Sequence, residues 1–249
     1  MSGGGSIKKR SKIILVRYAG VLSLILSGAL CLLLAVMQIE ELNQWYETWQ
    51  AQLLLLEERI IAIENRWLIV AAVMALFTLK SFFPPVTIPA ICFISGMVLP
   101  WYFALLVNVT GIVWLMTIRY FWGKRFGGGR AIKFVRRNEI VRGLLEKKGT
   151  GNPYMLLLFR AIPCFPVNSI SRLYGALNFN FRDYLIISVL GFMYKILSYT
   201  IIGRNVYTPL SASFLLPMII LFAVSGCLMV SIYYVIDKTN VKEGEDKNE

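Results

Sequence analysis

The chain has 249 residues, 57 % of them apolar and 16 % charged, with a mean hydropathy of +0.63 and a net charge of +12. Soluble domains carry about 25 % charged residues, so the basic excess belongs with lipid rather than nucleic acid. The sequence has no histidine and four scattered cysteines without CxxC spacing. This argues against Ser-His or Cys-His catalysis, histidine zinc sites and disulfide frameworks, leaving the cysteines as small buried hydrophobes.

The basic N-terminus MSGGGSIKKRSK leads into an apolar run from Ile13 to Met37, broken only by Arg17. About 20 apolar residues cross a bilayer, and a signal peptide has a shorter core and a cleavage site. Residues 1–37 therefore read as a cytoplasmic basic N-terminus and an uncleaved first transmembrane helix. Residues 38–66 repeat apolar positions in steps of three and four, with six Glu and two Arg between them. This pattern predicts an extracytoplasmic amphipathic helix at the membrane surface or against the bundle. A coiled-coil partner helix is the alternative.

From Trp67 the chain is apolar for about 13 residues, then meets Lys80 and SFFPPVTIPAICFISGMVLP. Pro84, Pro85 and Pro89 cannot lie inside one continuous helix, because proline removes a backbone donor and clashes with the preceding turn. Irregular backbone at membrane depth survives only when buried in protein or lining a wet cavity. Residues 67–99 thus predict a re-entrant hairpin. Trp101–Phe121 is a full span, and residues 119–149 carry ten Lys/Arg against two Glu. That segment reads as a surface helix drawn to anionic lipid; a ribosomal or nucleic-acid contact would need interleaved aromatics that it lacks.

The second half repeats the plan. Tyr154–Phe159, Arg160 and the proline turn with Pro163 and Pro166 form a second hairpin, and residues 183–203 and 214–236 are spans. The offsets are nearly constant: Lys80 to Arg160, Gly111 to Gly191 and Gly123 to Gly203 at 80, Pro84 to Pro163 and Gly96 to Gly175 at 79. Pro89 and Pro166, 77 apart, are the exception. Lys/Arg mark cytoplasmic loops, which places both termini and the 119–149 segment inside. Each hairpin then returns to its own side. The predicted fold is an all-α integral membrane protein with four full spans and two re-entrant hairpins. Residues 67–204 form a core of two inverted hairpin-plus-span repeats, and residues 205–249 add the last transmembrane helix and a charged cytoplasmic tail. Inverted repeats with broken helices are the plan of secondary transporters, whose sites lie where the broken segments meet.

Ionisable groups at membrane depth are functional candidates. Lys80, Arg160 and Arg172 stand in or near the turns, and the chain has no acid between Arg66 and Asn138 or between Lys147 and Arg182. Cations beside free helix N-termini suit a phosphate headgroup, with Asn168 as a further hydrogen-bonding group or a helix cap. Against this, Lys80 can snorkel to an interface and Arg160 can simply hold the turn by bonding its carbonyls. Pro84, Pro85, Pro89, Pro163 and Pro166 are architectural on either reading. Gly96, Gly111, Gly175 and Gly191 permit close helix contacts.

The stretch FRAIPCFPVNSISRLYGALNFNFRDYLIISVLG resembles the second-hairpin signature of the DedA/VTT-domain superfamily, also called SNARE-associated Golgi proteins. Arg160, Pro163, Pro166, Asn168, Gly175 and Phe181–Leu185 carry the likeness. FPPVTIPAICFISGMVLPWYFALLVNVTGIVWLMTIRYFWGKRFG is similar to the family's first hairpin and span. Pro166, standing where DedA members have a second arginine, favours the Tvp-like branch. The resemblance implies facing re-entrant hairpins and the flipping or scrambling of lipids, including polyprenyl-phosphate carriers in bacterial relatives. Proton coupling through hairpin carboxylates, implied for the DedA branch, lacks its acids here.

The expected function is a plasma or inner-membrane flippase or scramblase for an anionic, phosphate-headed lipid, with Arg160, Lys80, Asn168 and Arg172 as substrate contacts. Neither cofactor nor metal is expected, and no enzymatic reaction or nucleic-acid partner. Homo-oligomerisation is left open. The alternative is a non-transporting organiser of membrane or envelope proteins, which would act through the acidic helix and the basic loop and would tolerate loss of Arg160.

Overall fold

A computed structural model of the chain describes residues 3–36, 66–83, 86–126, 153–162 and 166–245. Within these residues the chain is helical, without strands. The elements are α1 (Gly3–Val36), α2 (Arg66–Phe82), α3 (Ile88–Val98), α4 (Trp101–Phe126), α5 (Pro153–Ala161), α6 (Val167–Ala176), α7 (Phe181–Arg204) and α8 (Ala212–Glu245). Four stretches are long and apolar enough to cross a bilayer: Val16–Val36, Trp101–Phe126, Phe181–Arg204 and Ala212–Ser231. They coincide with the four spans expected from hydropathy. The protein is an all-α, multi-pass membrane protein. The predicted amphipathic segment up to residue 65, most of the basic 119–149 segment, and Pro84, Pro85 and Pro163 lie outside the described residues.

Both hairpin regions are broken helix pairs, α2–α3 and α5–α6, each followed by one long helix. The helices after the breaks start 79 residues apart, at Ile88 and Val167. Pro89 sits within the first two positions of α3, whereas Pro166 is the N-cap of α6. Both places suit proline, which has no N–H to leave unpaired. The irregular 77-residue spacing therefore reflects two proline positions around one shared helix start.

The repeats exchange their short helices. α3 packs on α7, the long helix of the other repeat, and α6 packs on α4, while α2 stays with α4 and α5 with α7. Glycines make the exchange close. A Cβ at Gly96 would fall on the Thr200 carbonyl, and one at Gly175 on the Tyr120 carbonyl. Likewise Gly203 faces Phe93 backbone and Gly123 faces Arg172 backbone. Each contact maps on its counterpart by the same 79- or 80-residue offset.

The two long helices run antiparallel. Asn108 of α4 donates to Thr200 of α7 at 2.9 Å, and further along the pair the Tyr120 and Tyr184 rings lie 4.9 Å apart. Antiparallel long helices with exchanged short ones are the arrangement of a two-fold axis across the bundle. The remaining helices pack together outside this unit. α1 lies on α8, with Gly20 against Gly226 and with Ser23 and Ser27 donating to the Phe222 and Ile219 carbonyls at 2.9 and 3.2 Å. α8 in turn packs on α5 and α7.

Candidate anion-binding cavity

A helix that stops leaves its last carbonyls without intrahelical donors. At the end of α5 those groups are met from α7: Lys195 Nζ donates to the Arg160 carbonyl at 2.8 Å, and the Tyr194 hydroxyl donates to the Ala161 carbonyl. A cation at a helix C-terminus also opposes the negative end of the helix dipole. The Arg160 side chain ties α5 to the helices around the break. Its Nη1 reaches the Val167 carbonyl of α6 at 3.2 Å, and its Nη2 reaches Ser171 Oγ and Tyr184 Oη at 2.8 and 2.9 Å. Nε donates to Ser188 Oγ at 3.2 Å, and the guanidinium lies over the Tyr184 and Phe192 rings. Arg160 is fully buried.

Between the two broken pairs lies a cavity of about 540 Å³, within the range of about 300–1,000 Å³ usual for small-molecule sites. The N-terminal turns of both short helices reach it, through Thr87, Ile88 and Pro89 of α3 and through Val167, Asn168 and Ser169 of α6. Four cations line it: Lys80 from α2, Arg119 from α4, Arg172 from α6 and Lys195 from α7. Among the described lining residues there is no carboxylate. Phe82, Ile162, Phe192 and Tyr199 supply apolar wall.

Arg119 is 3 % exposed, and its Nε has no hydrogen-bond partner among the described residues. The same is true of Arg172 Nε and Asn168 Oδ1. A buried polar atom without a partner is costly, and all three of these residues line the cavity. Among the described residues no cluster of three or more Cys, Asp or Glu is placed to hold a metal.

The structure brings Lys80, Asn168 and Arg172 to one cavity, whereas Arg160 is not part of its lining and bonds to α6 and α7 behind it. Sequence reasoning passed over Arg119 and Lys195. Both lie within spans, and the rule that an ionisable residue at membrane depth marks a site would have found them. In the sequence Arg119 merges with the basic segment that follows it, and Lys195 stands alone inside an apolar run. Gly96 and Gly175 sit at the helix crossings that set the cavity walls, and Pro89 and Pro166 at the helix starts that face it.

The family model of the VTT domain matches residues 83–205. Those residues run from the first break, α3 and α4 through α5 and α6 to the end of α7, so the match covers most of the two-fold unit and the cavity within it. Residues 83–205 are a VTT domain. No curated protein and no solved structure matches it. The match is to the VTT domain as a whole and leaves the Tvp-like branch unassigned. α1, α2 and α8 are the described helices outside it; α8 buttresses the α5–α7 side and carries α1 on it.

Proposed function

We propose that this VTT-domain protein moves an anionic amphiphile, a phospholipid or polyprenyl-phosphate-like lipid, between the leaflets of the plasma or inner membrane. Each broken pair acts as a re-entrant hairpin, and the headgroup crosses in the cavity between them. The observation that carries the reading is the convergence of Lys80, Arg119, Arg172 and Lys195 on one apolar-walled space, without a carboxylate among the described lining. Buried charges are kept where they work or are paired. Two helix N-terminal turns facing the same space add positive dipole ends, an arrangement that suits phosphate.

Arg119, Arg172, Lys80 and Lys195 contact the headgroup, Asn168 accepts a hydrogen bond from it, and Arg160 acts as a positioning residue that holds the second hairpin. The protein works as a carrier and not as an enzyme. Both termini lie in the cytoplasm, where the Lys/Arg of the N-terminus and of the 119–149 segment also face anionic lipid.

The test is lipid transfer in liposomes containing the purified chain. A labelled phospholipid or lipid phosphate moves between leaflets faster than in empty vesicles, and Arg119→Ala/Arg172→Ala inserts normally while losing most of that gain. Transfer equal to empty vesicles across several phosphate-bearing lipids overturns the reading in favour of a non-transporting organiser.

A further inference from the structure

The two-fold unit is asymmetric in what stands behind the cavity. Phe82, at the end of α2, lines the cavity and is 52 % exposed. Its ring meets Trp122 of α4 edge-on, with centroids 5.5 Å apart, and Trp122 is itself 39 % exposed. The guanidinium of Arg172, a cavity residue of α6, lies 5.6 Å from the centre of the same indole. Arg172, Trp122 and Phe82 thus form a continuous chain of contacts that joins a cavity cation to two exposed aromatic rings. The residues 80 further along from Phe82 and Trp122 are Ile162 and Ile202, which are 2 % and 5 % exposed. They belong to the side on which α8 packs against α5 and α7.

Resting on the lipid-carrier reading, we propose that the gap between α2 and α6 at Phe82 and Trp122 is a lateral port. Through it the hydrocarbon chain of the amphiphile leaves the cavity for the bilayer while the headgroup stays on the cations. An amphiphile with its anionic group in a closed pocket must pass its chain through the wall, since chain burial is favourable only in apolar surroundings. The α2–α6 side offers aromatic, lipid-facing wall. On the opposite side the matching positions are buried. Arg172 sits at the inner edge of the port, stacked on Trp122, where it can hold a phosphate at the junction of polar and apolar surface.

The experiment places a photo-crosslinking amino acid, p-benzoylphenylalanine, at Phe82 or Trp122 of the full chain in vesicles. A control carries it at Leu106, which is 62 % exposed on α4. The probe is an alkyne-tagged hexadecyl phosphate, competed with untagged hexadecyl phosphate. Capture at Phe82 and Trp122 is expected to fall severalfold with competitor and again in the Arg119→Ala/Arg172→Ala background, while capture at Leu106 changes in neither case. In detergent, Phe82→Ala is expected to weaken dodecyl phosphate roughly tenfold and to leave inorganic phosphate within about twofold.

Capture at Phe82 and Trp122 that behaves like capture at Leu106 overturns the port. If inorganic phosphate still binds in an Arg119- and Arg172-dependent way, the carrier reading stands without the port. If phosphate does not bind either, both fall together.

Discussion

Lys195 donates its ammonium proton to the main-chain oxygen of Arg160 at 2.8 Å, so one cation of the cavity wall also closes the end of the helix that carries another cation. The contact joins α7 to the C-terminus of α5 and lies beside the Phe192 ring, 4.9 Å from Nζ. Lys195→Met keeps the length of the side chain and removes both the donor and the charge. It is expected to lower the thermal midpoint of the purified protein by an amount equivalent to about 1–3 kcal/mol, the cost of stranding a buried acceptor. On the proposed carrier function it is also expected to reduce lipid transfer. Unchanged melting with unchanged transfer would show that Lys195 neither caps α5 nor serves the cavity.

Arg160 separates structure from transport in the opposite sense. It is fully buried and distributes hydrogen bonds over Val167, Ser171, Tyr184 and Ser188. Arg160→Ala leaves several of these groups unmet and opens a cavity in the core. Roughly 3–5 kcal/mol of stability is expected to go, with a drop in folded yield. Arg160→Lys keeps the charge but cannot reproduce the planar fork, so it recovers only part of the loss. Size-exclusion profiles and melting in detergent report the outcome. An Arg160→Ala protein that melts like the wild type would sink the positioning role.

Much of this plan was legible in one sequence. Hydropathic runs located the four spans because a bilayer of fixed thickness imposes a length that local composition reveals. Prolines located the breaks, and the 79–80 offset located the repeat. The exchange of α3 and α6 between repeats was not legible, because the partners of a helix lie far off in the chain: Gly96 meets Thr200 and Gly175 meets Tyr120. The orientation of Arg160 was hidden for the same reason. Its hydroxyl partners on α7 are 24 and 28 residues downstream, so the sequence left both alternatives open, a headgroup contact and a side chain that holds the turn. Arg119 and Lys195 reach the cavity only through the packing of α4 and α7.

Glycine substitutions test the exchanged packing directly. Gly175→Ala places a methyl group on the Tyr120 carbonyl of α4, and Gly96→Ala places one on the Thr200 carbonyl of α7. Backbone cannot rotate aside, so each change forces the helices apart at a cost of about 1–3 kcal/mol. Gly28 of α1 has nothing within 4 Å of an added Cβ. There Ala is expected to be neutral or to stabilise by up to about 1 kcal/mol through helix propensity. Melting temperatures ordered otherwise, with Gly28→Ala the most damaging, would refute the crossings.

The antiparallel register of the long helices rests on a polar chain in the core. Asn108 Oδ1 accepts from Ser95 Oγ at 2.7 Å, and Asn108 Nδ2 donates to Thr200 Oγ1 at 2.9 Å, tying α3, α4 and α7 together. All three residues are buried, Asn108 fully and Thr200 at 1 % exposure. Asn108→Leu leaves Ser95 and Thr200 only their own backbone acceptors, the Cys92 and Ile196 carbonyls, and is expected to destabilise. Thr200→Val removes one partner and is expected to cost less, because the valine fills the same space. If the two side chains touch, the double variant loses less than the sum of the single losses, with a coupling of about 0.5–2 kcal/mol. Two residues 92 positions apart in sequence have no other reason to couple. Additive losses in Asn108→Leu/Thr200→Val would place them apart and undo the pairing of the two repeats through α4 and α7.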